Sequence, residues 1–193
     1  MNTHRTRGTT RQWTSPGPSS PHNASVTSGF EELLDNNRLA AERFSESGLA
    51  VSPSRKLAVV TCMDSRMDVF RILGLGNGEA HILRNAGGVV TDDMIRSLCL
   101  SQRELGTTQI LLMHHTDCGL QKVSERDFMA RIEHEVGIKP WWALEAFSDP
   151  FDDVRQSIQR LYMTPFLIHK ERIRGFVYDV DTSRLHEVQL SHN

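Results

Sequence analysis

The chain is poor in cysteine, carries little net charge and has no long apolar run, and each shortage removes a class of protein. Its 193 residues hold three cysteines, Cys62, Cys99 and Cys118. An odd, sparse set does not make a disulfide framework, so the thiols are expected to be free or metal-bound in a reducing cytoplasm. The formal net charge of −2 lacks the basic surplus of a nucleic-acid binder. No apolar run approaches the ~20 residues that span a bilayer, and the start lacks the apolar stretch of a secretory signal. No membrane or nucleic-acid partner is therefore expected. With 38% hydrophobic and 24% charged residues, the chain has the material for one soluble domain with a buried core.

Residues 1–28 are rich in Ser, Thr, Pro and Gly, and contain Arg5, Arg7 and Arg11 but no acid. They bury too little to offset their ordering entropy and read as a disordered tail, leaving 29–193 as the domain. An Arg- and Ser-rich, acid-free start is also the composition of an organelle transit peptide, but these arginines follow no helical pattern.

From Phe30 the pattern becomes periodic. Phe30, Leu33, Leu34, Ala41 and Phe44 predict a helix to about Ser47 with one apolar stripe. Leu57–Thr61, His81–Leu83 and Gln109–Met113 read as buried strands. Between them lie a short helix through Val69, Ile72 and Leu73 ending at Gly74, and a longer one capped by Thr91 over about 92–105. Cys99 falls mid-helix and reads as packing. Val123 to Val136 and the segment opened by Asp149-Pro150 predict two further helices. Gly175–Val180 and Leu185–Val188, joined by a turn, predict a terminal hairpin. Alternating strands and helices imply an α/β fold with a mainly parallel sheet flanked by helices.

In such a sheet the ligand crevice lies beyond the carboxyl ends of the strands. Two stretches fall there. The first is Cys62-Met63-Asp64-Ser65-Arg66 and the second His114-His115-Thr116-Asp117-Cys118-Gly119. Two thiolates and an imidazole suit Zn²⁺, and three protein ligands leave a fourth position for water or substrate. Cys62, His115 and Cys118 are the candidate ligands. Asp64 either fills the fourth position and closes the site, or pairs with Arg66 and leaves it open. The plainer alternative for Asp64 and Arg66 is a surface ion pair worth ~0–1 kcal/mol. Two other roles for Cys62 fail. A phosphatase-type nucleophile wants Arg at position 68, which is Asp68, and a thioredoxin-like pair wants Cys at 65, which is Ser65. His114 reads as a neutral packed residue and Asp117 as solvated.

At these residues the chain resembles the β-class carbonic anhydrases, which carry Cys-x-Asp-x-Arg and, about fifty residues later, His-x-x-Cys. Cys62, Asp64, Arg66, His115 and Cys118 match each element, and Gly119 matches the glycine that follows. Arg84-Asn85-Ala86-Gly87 is similar to the family's stretch beside the active site. The likeness runs from about Phe30 to Val188 and is to the short bacterial branch. It implies one zinc per chain, with Asp64 and Arg66 catalytic, and reversible hydration of CO₂ to bicarbonate and a proton by a zinc-activated hydroxide. It also implies a homodimer or larger assembly, with the N-terminal helix laid on the partner subunit. Relatives that hydrolyse carbon disulfide or carbonyl sulfide offer a second reading on the same fold. A non-catalytic zinc- or bicarbonate-binding protein is a third.

Overall fold

The computed structural model describes residues 26–190, with side chains from Gly29 onward. The tail expected over 1–28 lies outside the described residues, apart from the helical backbone of 26–28. The chain divides at Ser47/Gly48 into two units. The first contains α1 (Val26–Glu42), which ends earlier than its apolar periodicity suggests. The N–H groups of Arg43 and Phe44 donate to the carbonyls of Ala40 and Ala41, a tightened last turn that closes the helix. Phe30, Leu33, Leu34 and Leu39 on this helix are each more than half exposed.

In the second unit the strands are β1 (Leu57–Cys62), β2 (Ala80–Asn85), β3 (Gln109–His115), β4 (Ile173–Tyr178) and β5 (Leu185–Glu187). They form one sheet in the order β2-β1-β3-β4-β5. The first four run parallel, and β5 returns antiparallel to β4 as the expected hairpin. The helices are α2 (Val69–Leu73), α3 (Asp92–Arg103), α4 (Glu125–Val136) and α5 (Pro150–Met163). Side chains of Asp68, Thr91, Ser124 and Asp149 cap their first turns by accepting backbone N–H groups otherwise left unpaired. Gly74 and Gly137 end α2 and α4 in the left-handed conformation. α3 instead stops at Arg103 with Glu104 as its cap, and Gly106 belongs to the following turn.

Strand side chains alternate between faces, and that parity divides the core. Ala58, Val60, Ile110 and Leu112 meet Met94 and Leu98 of α3 and Val154, Ile158 and Leu161 of α5. Val59 and Met113 point the other way, into a cluster with Met67, Val69, Val89, Leu120 and Tyr178. Full burial of each such aliphatic side chain is worth about 1.5–3 kcal/mol, and the two clusters hold the sheet from both sides. The same parity sends His114 towards α5 and His115 to the opposite face.

α5 lies so close to β4 that a Cβ at Gly175 would sit 2.3 Å from Val154 Cγ1 and 2.8 Å from Ile158 Cδ1. Gly175→Ala is expected to destabilise the protein by about 1–3 kcal/mol through this overpacking, seen as a lower urea midpoint with unchanged slope.

Candidate metal centre

Strand order reverses around β1, which has β2 on one side and β3 on the other. A crevice opens beyond the carboxyl ends of strands at such a switch point. Cys62 ends β1 and His115 ends β3. Cys118 follows at the entry to a 3₁₀ turn, Gly119–Lys122. Their donor atoms lie within 4.8 Å of one another, and the residues are 4%, 0% and 1% exposed respectively. β3 runs two residues further than the apolar pattern indicates, because His114 and His115 continue the pairing with Val177 and Tyr178 of β4. His115 is therefore presented from a strand rather than from a turn.

The donor chemistry fits a zinc ion. His115 Nδ1 lies 2.8 Å from the Thr116 carbonyl oxygen, which can only accept, so in the neutral imidazole Nδ1 carries the proton and Nε2 presents its lone pair. That Nε2 is buried and has no hydrogen-bond partner. Such an orphan costs about 1–3 kcal/mol unless something binds it. The Cys62 sulfur accepts the Asp64 backbone N–H, and the Cys118 sulfur accepts those of Leu120 and Gln121, bonds that favour thiolates. The two sulfurs are 3.9 Å apart. Their contact holds Cys62 well below the ordinary thiol range and pushes Cys118 up.

Asp64 lies beside this group, with both carboxylate oxygens engaged by Arg66. Oδ1 accepts the Arg66 backbone N–H at 2.9 Å and Nε at 3.0 Å, and Oδ2 accepts Nη2 at 2.8 Å. The guanidinium holds the Asp64 carboxyl well below the usual carboxylate range. Asp64 Oδ2 is also 3.7 Å from His115 Nε2. Asp117 is half-exposed, yet Arg66 and Lys122 both bind its carboxylate, so it is not merely solvated. His114 is fully buried, as expected of a packed residue. Its Nε2 is 2.6 Å from Asp153 Oδ2 of α5, and its ring centroid is 5.3 Å from that of Phe147. Cys99 packs partly buried against the core on the α3 side of the sheet, away from the donor group.

Several supports carried no sequence signal of their own, apart from Arg84 in the Arg84-Asn85-Ala86-Gly87 stretch. Arg84 donates from Nε to the Cys62 carbonyl at 2.9 Å and from Nη2 to the Asp64 carbonyl at 2.7 Å, which fixes the loop after β1. Gln121 accepts the Cys118 backbone N–H at 3.0 Å and donates to the Ser148 carbonyl, also at 3.0 Å. Thr61 Oγ1 donates to the Met113 carbonyl at 2.7 Å and ties β1 to β3 beneath the site. Gly88, at φ +75°, passes so near β1 that a Cβ would lie 2.8 Å from the Cys62 backbone nitrogen.

This geometry places the chain in a family. The carbonic anhydrase family model matches residues 57–185, which include all the residues of the centre, and the chain belongs to the β-carbonic anhydrase family. It is 49% identical to beta-carbonic anhydrase 1 of Mycobacterium tuberculosis over 158 residues, covering 82% of this chain and 96% of that one. It is 34% identical to a carbon disulfide hydrolase of Acidianus, over 68% of this chain and 76% of that one. Among solved structures, a carbonic anhydrase from Streptococcus mutans superposes with a TM-score of 0.78 at 40% identity, covering 83% and 97% of the two chains.

Because cysteine binds a metal as the thiolate and the contact with Cys62 pushes the Cys118 thiol up, taking up a dication is expected to release at least one proton. Zinc affinity should therefore rise about tenfold per pH unit and weaken as pH falls, measured by competition with a chromophoric chelator between pH 6 and 8. Gly88→Ala forces a side chain into the left-handed region and against the Cys62 backbone. We expect it to lower both the melting temperature and the zinc content per chain after dialysis.

Proposed function

We propose that this chain hydrates CO₂ reversibly to bicarbonate and a proton, with one zinc ion per chain held by Cys62, His115 and Cys118. The observation that carries this reading is the convergence of three buried donors, one of them an unpartnered imidazole nitrogen, beside a carboxylate held by an arginine. When bound, zinc supplies the Lewis acidity that lets a water molecule ionise near pH ~7. Arg66 keeps Asp64 ionised and therefore purely an acceptor. From its position 3.7 Å from His115 Nε2, Asp64 Oδ2 accepts a hydrogen bond from the reacting water and orients it towards the CO₂ carbon. Asp64 is the fourth metal ligand only if it leaves Arg66, and that state closes the centre. The identity to the Acidianus carbon disulfide hydrolase supports a second reading, in which the same centre hydrolyses carbon disulfide.

We further propose a homodimer or larger assembly in which α1 lies on the partner subunit, since its apolar residues are exposed on the single chain. Among the described residues no helix is long and apolar enough to cross a membrane. Cys62 and Cys118 must stay reduced to bind metal, which favours the cytoplasm as the working compartment.

Stopped-flow hydration of CO₂ by the zinc-loaded protein should show turnover between pH 6.5 and 9, and its absence would overturn the reading. Release of sulfide from carbon disulfide without CO₂ hydration would establish the second reading instead. Asp64→Ala should retain about one zinc while losing about a hundredfold in turnover; loss of the metal would make Asp64 a structural ligand. Paired Leu33→Asp and Leu34→Asp substitutions should reduce the mass found by sedimentation.

A further inference from the structure

Arg66 has a second carboxylate partner that the Cys-x-Asp-x-Arg spacing does not announce. Its Nε and Nη2 engage Asp64. Its Nη1 donates to Asp117 Oδ2 at 2.8 Å, and Nη2 also reaches the Asp117 carbonyl at 3.0 Å. All three guanidinium nitrogens are thus committed, and one planar group joins the loop after Cys62 to the loop between His115 and Cys118. Asp117 adopts φ +56°, a left-handed conformation costly for most side chains and better tolerated by aspartate. Lys122 holds the other carboxylate oxygen from outside.

We propose that Asp117 is a positioning residue that anchors Arg66 on Asp64 and so keeps Asp64 off the metal's fourth position. This rests on the reading of Cys62, His115 and Cys118 as the metal ligands. Arg66 is 45% exposed at its side chain, so without a lateral anchor it is free to swing into solvent. Asp64, its oxygens released, then competes with any exogenous ligand for the metal. The anchoring depends on geometry as well as charge, because the planar fork must meet two carboxylates at once.

The test uses the full-length protein loaded with Co²⁺, whose visible spectrum reports an anion entering the fourth position. Azide is the probe. Asp117→Gly accepts the positive φ without strain and removes the carboxylate from Arg66 and Lys122, while the backbone carbonyl that Arg66 Nη2 also reaches remains. It should retain one Co²⁺ per chain but need about fivefold more azide for half-saturation, the equivalent of about 1 kcal/mol at RT ≈ 0.59 kcal/mol. Adding Asp64→Asn to that variant should restore azide binding to the wild-type level, since the competing carboxylate is gone. Azide binding by Asp117→Gly within twofold of wild type overturns the proposal, as does failure of the double variant to recover. Loss of Co²⁺ from Asp117→Gly also overturns it, by making Asp117 a support for the ligand loop. Wild-type protein that binds Co²⁺ but not azide overturns it because Asp64 already closes the site. Wild-type protein that takes up no Co²⁺ overturns the ligand assignment and the proposal with it. If Co²⁺ and azide behave as expected but the zinc form fails to hydrate CO₂, the role of Asp117 stands and only the reaction is overturned.

Discussion

Two thiols and an imidazole nitrogen, all but sealed from solvent at the ends of β1 and β3, set the terms for the rest of this molecule. Buried thiolates are costly unless a positive charge lies between them. The two sulfurs lie 3.9 Å apart, and His115 Nε2, within 4.8 Å of them, has no hydrogen-bond partner of its own. A dication resolves both problems at once. The parallel sheet exists, from the point of view of this site, to bring Cys62 and His115 side by side. The Thr61 bond to Met113 and the close passage of Gly88 keep them there.

Around that centre the polar residues divide into two rings of different character. The inner supports are backbone groups and neutral side chains: the N–H groups on the sulfurs, the Thr116 carbonyl on His115, and Gln121 on the Cys118 backbone. These are fixed by local geometry. The outer ring is ionic and more exposed, running from Asp64 through Arg66 and Asp117 to Lys122. Exposed ion pairs are individually weak, about 0.2–1 kcal/mol, so they are poor as girders but well suited to an arrangement that has to rearrange. The three donors are held by the firmer set of contacts and Asp64 by the weaker.

The convergence of Cys62, His115 and Cys118 and the parallel sheet were readable from the chain because both express themselves locally. Cys62 and His115-x-x-Cys118 stand directly after apolar strand runs, and soft donors in the crevice position have few other uses. The caps at Thr91 and Asp149 were readable for the same reason. The full length of β3 was not, because two polar histidines look like the end of a buried run; His114 is covered by Asp153 and Phe147, far along the chain, and His115 by the sulfur side of the sheet. Asp117 looked solvated because its partner Arg66 is 51 positions away. The contributions of Arg84 and Gly88 depend likewise on where a neighbouring strand happens to pass.

The paired histidines at the end of β3 have a consequence for how the chain must fold. A strand that slips by one residue exchanges its faces, so a misaligned β3 would offer His114 to the two sulfurs and bury His115 against α5. Zinc itself distinguishes poorly between two imidazoles. The discrimination falls to Asp153, whose carboxylate waits 2.6 Å from His114 on one side of the sheet only. In the native register His114 is engaged by Asp153 of α5, and His115 is the histidine that stands beside Cys62 and Cys118.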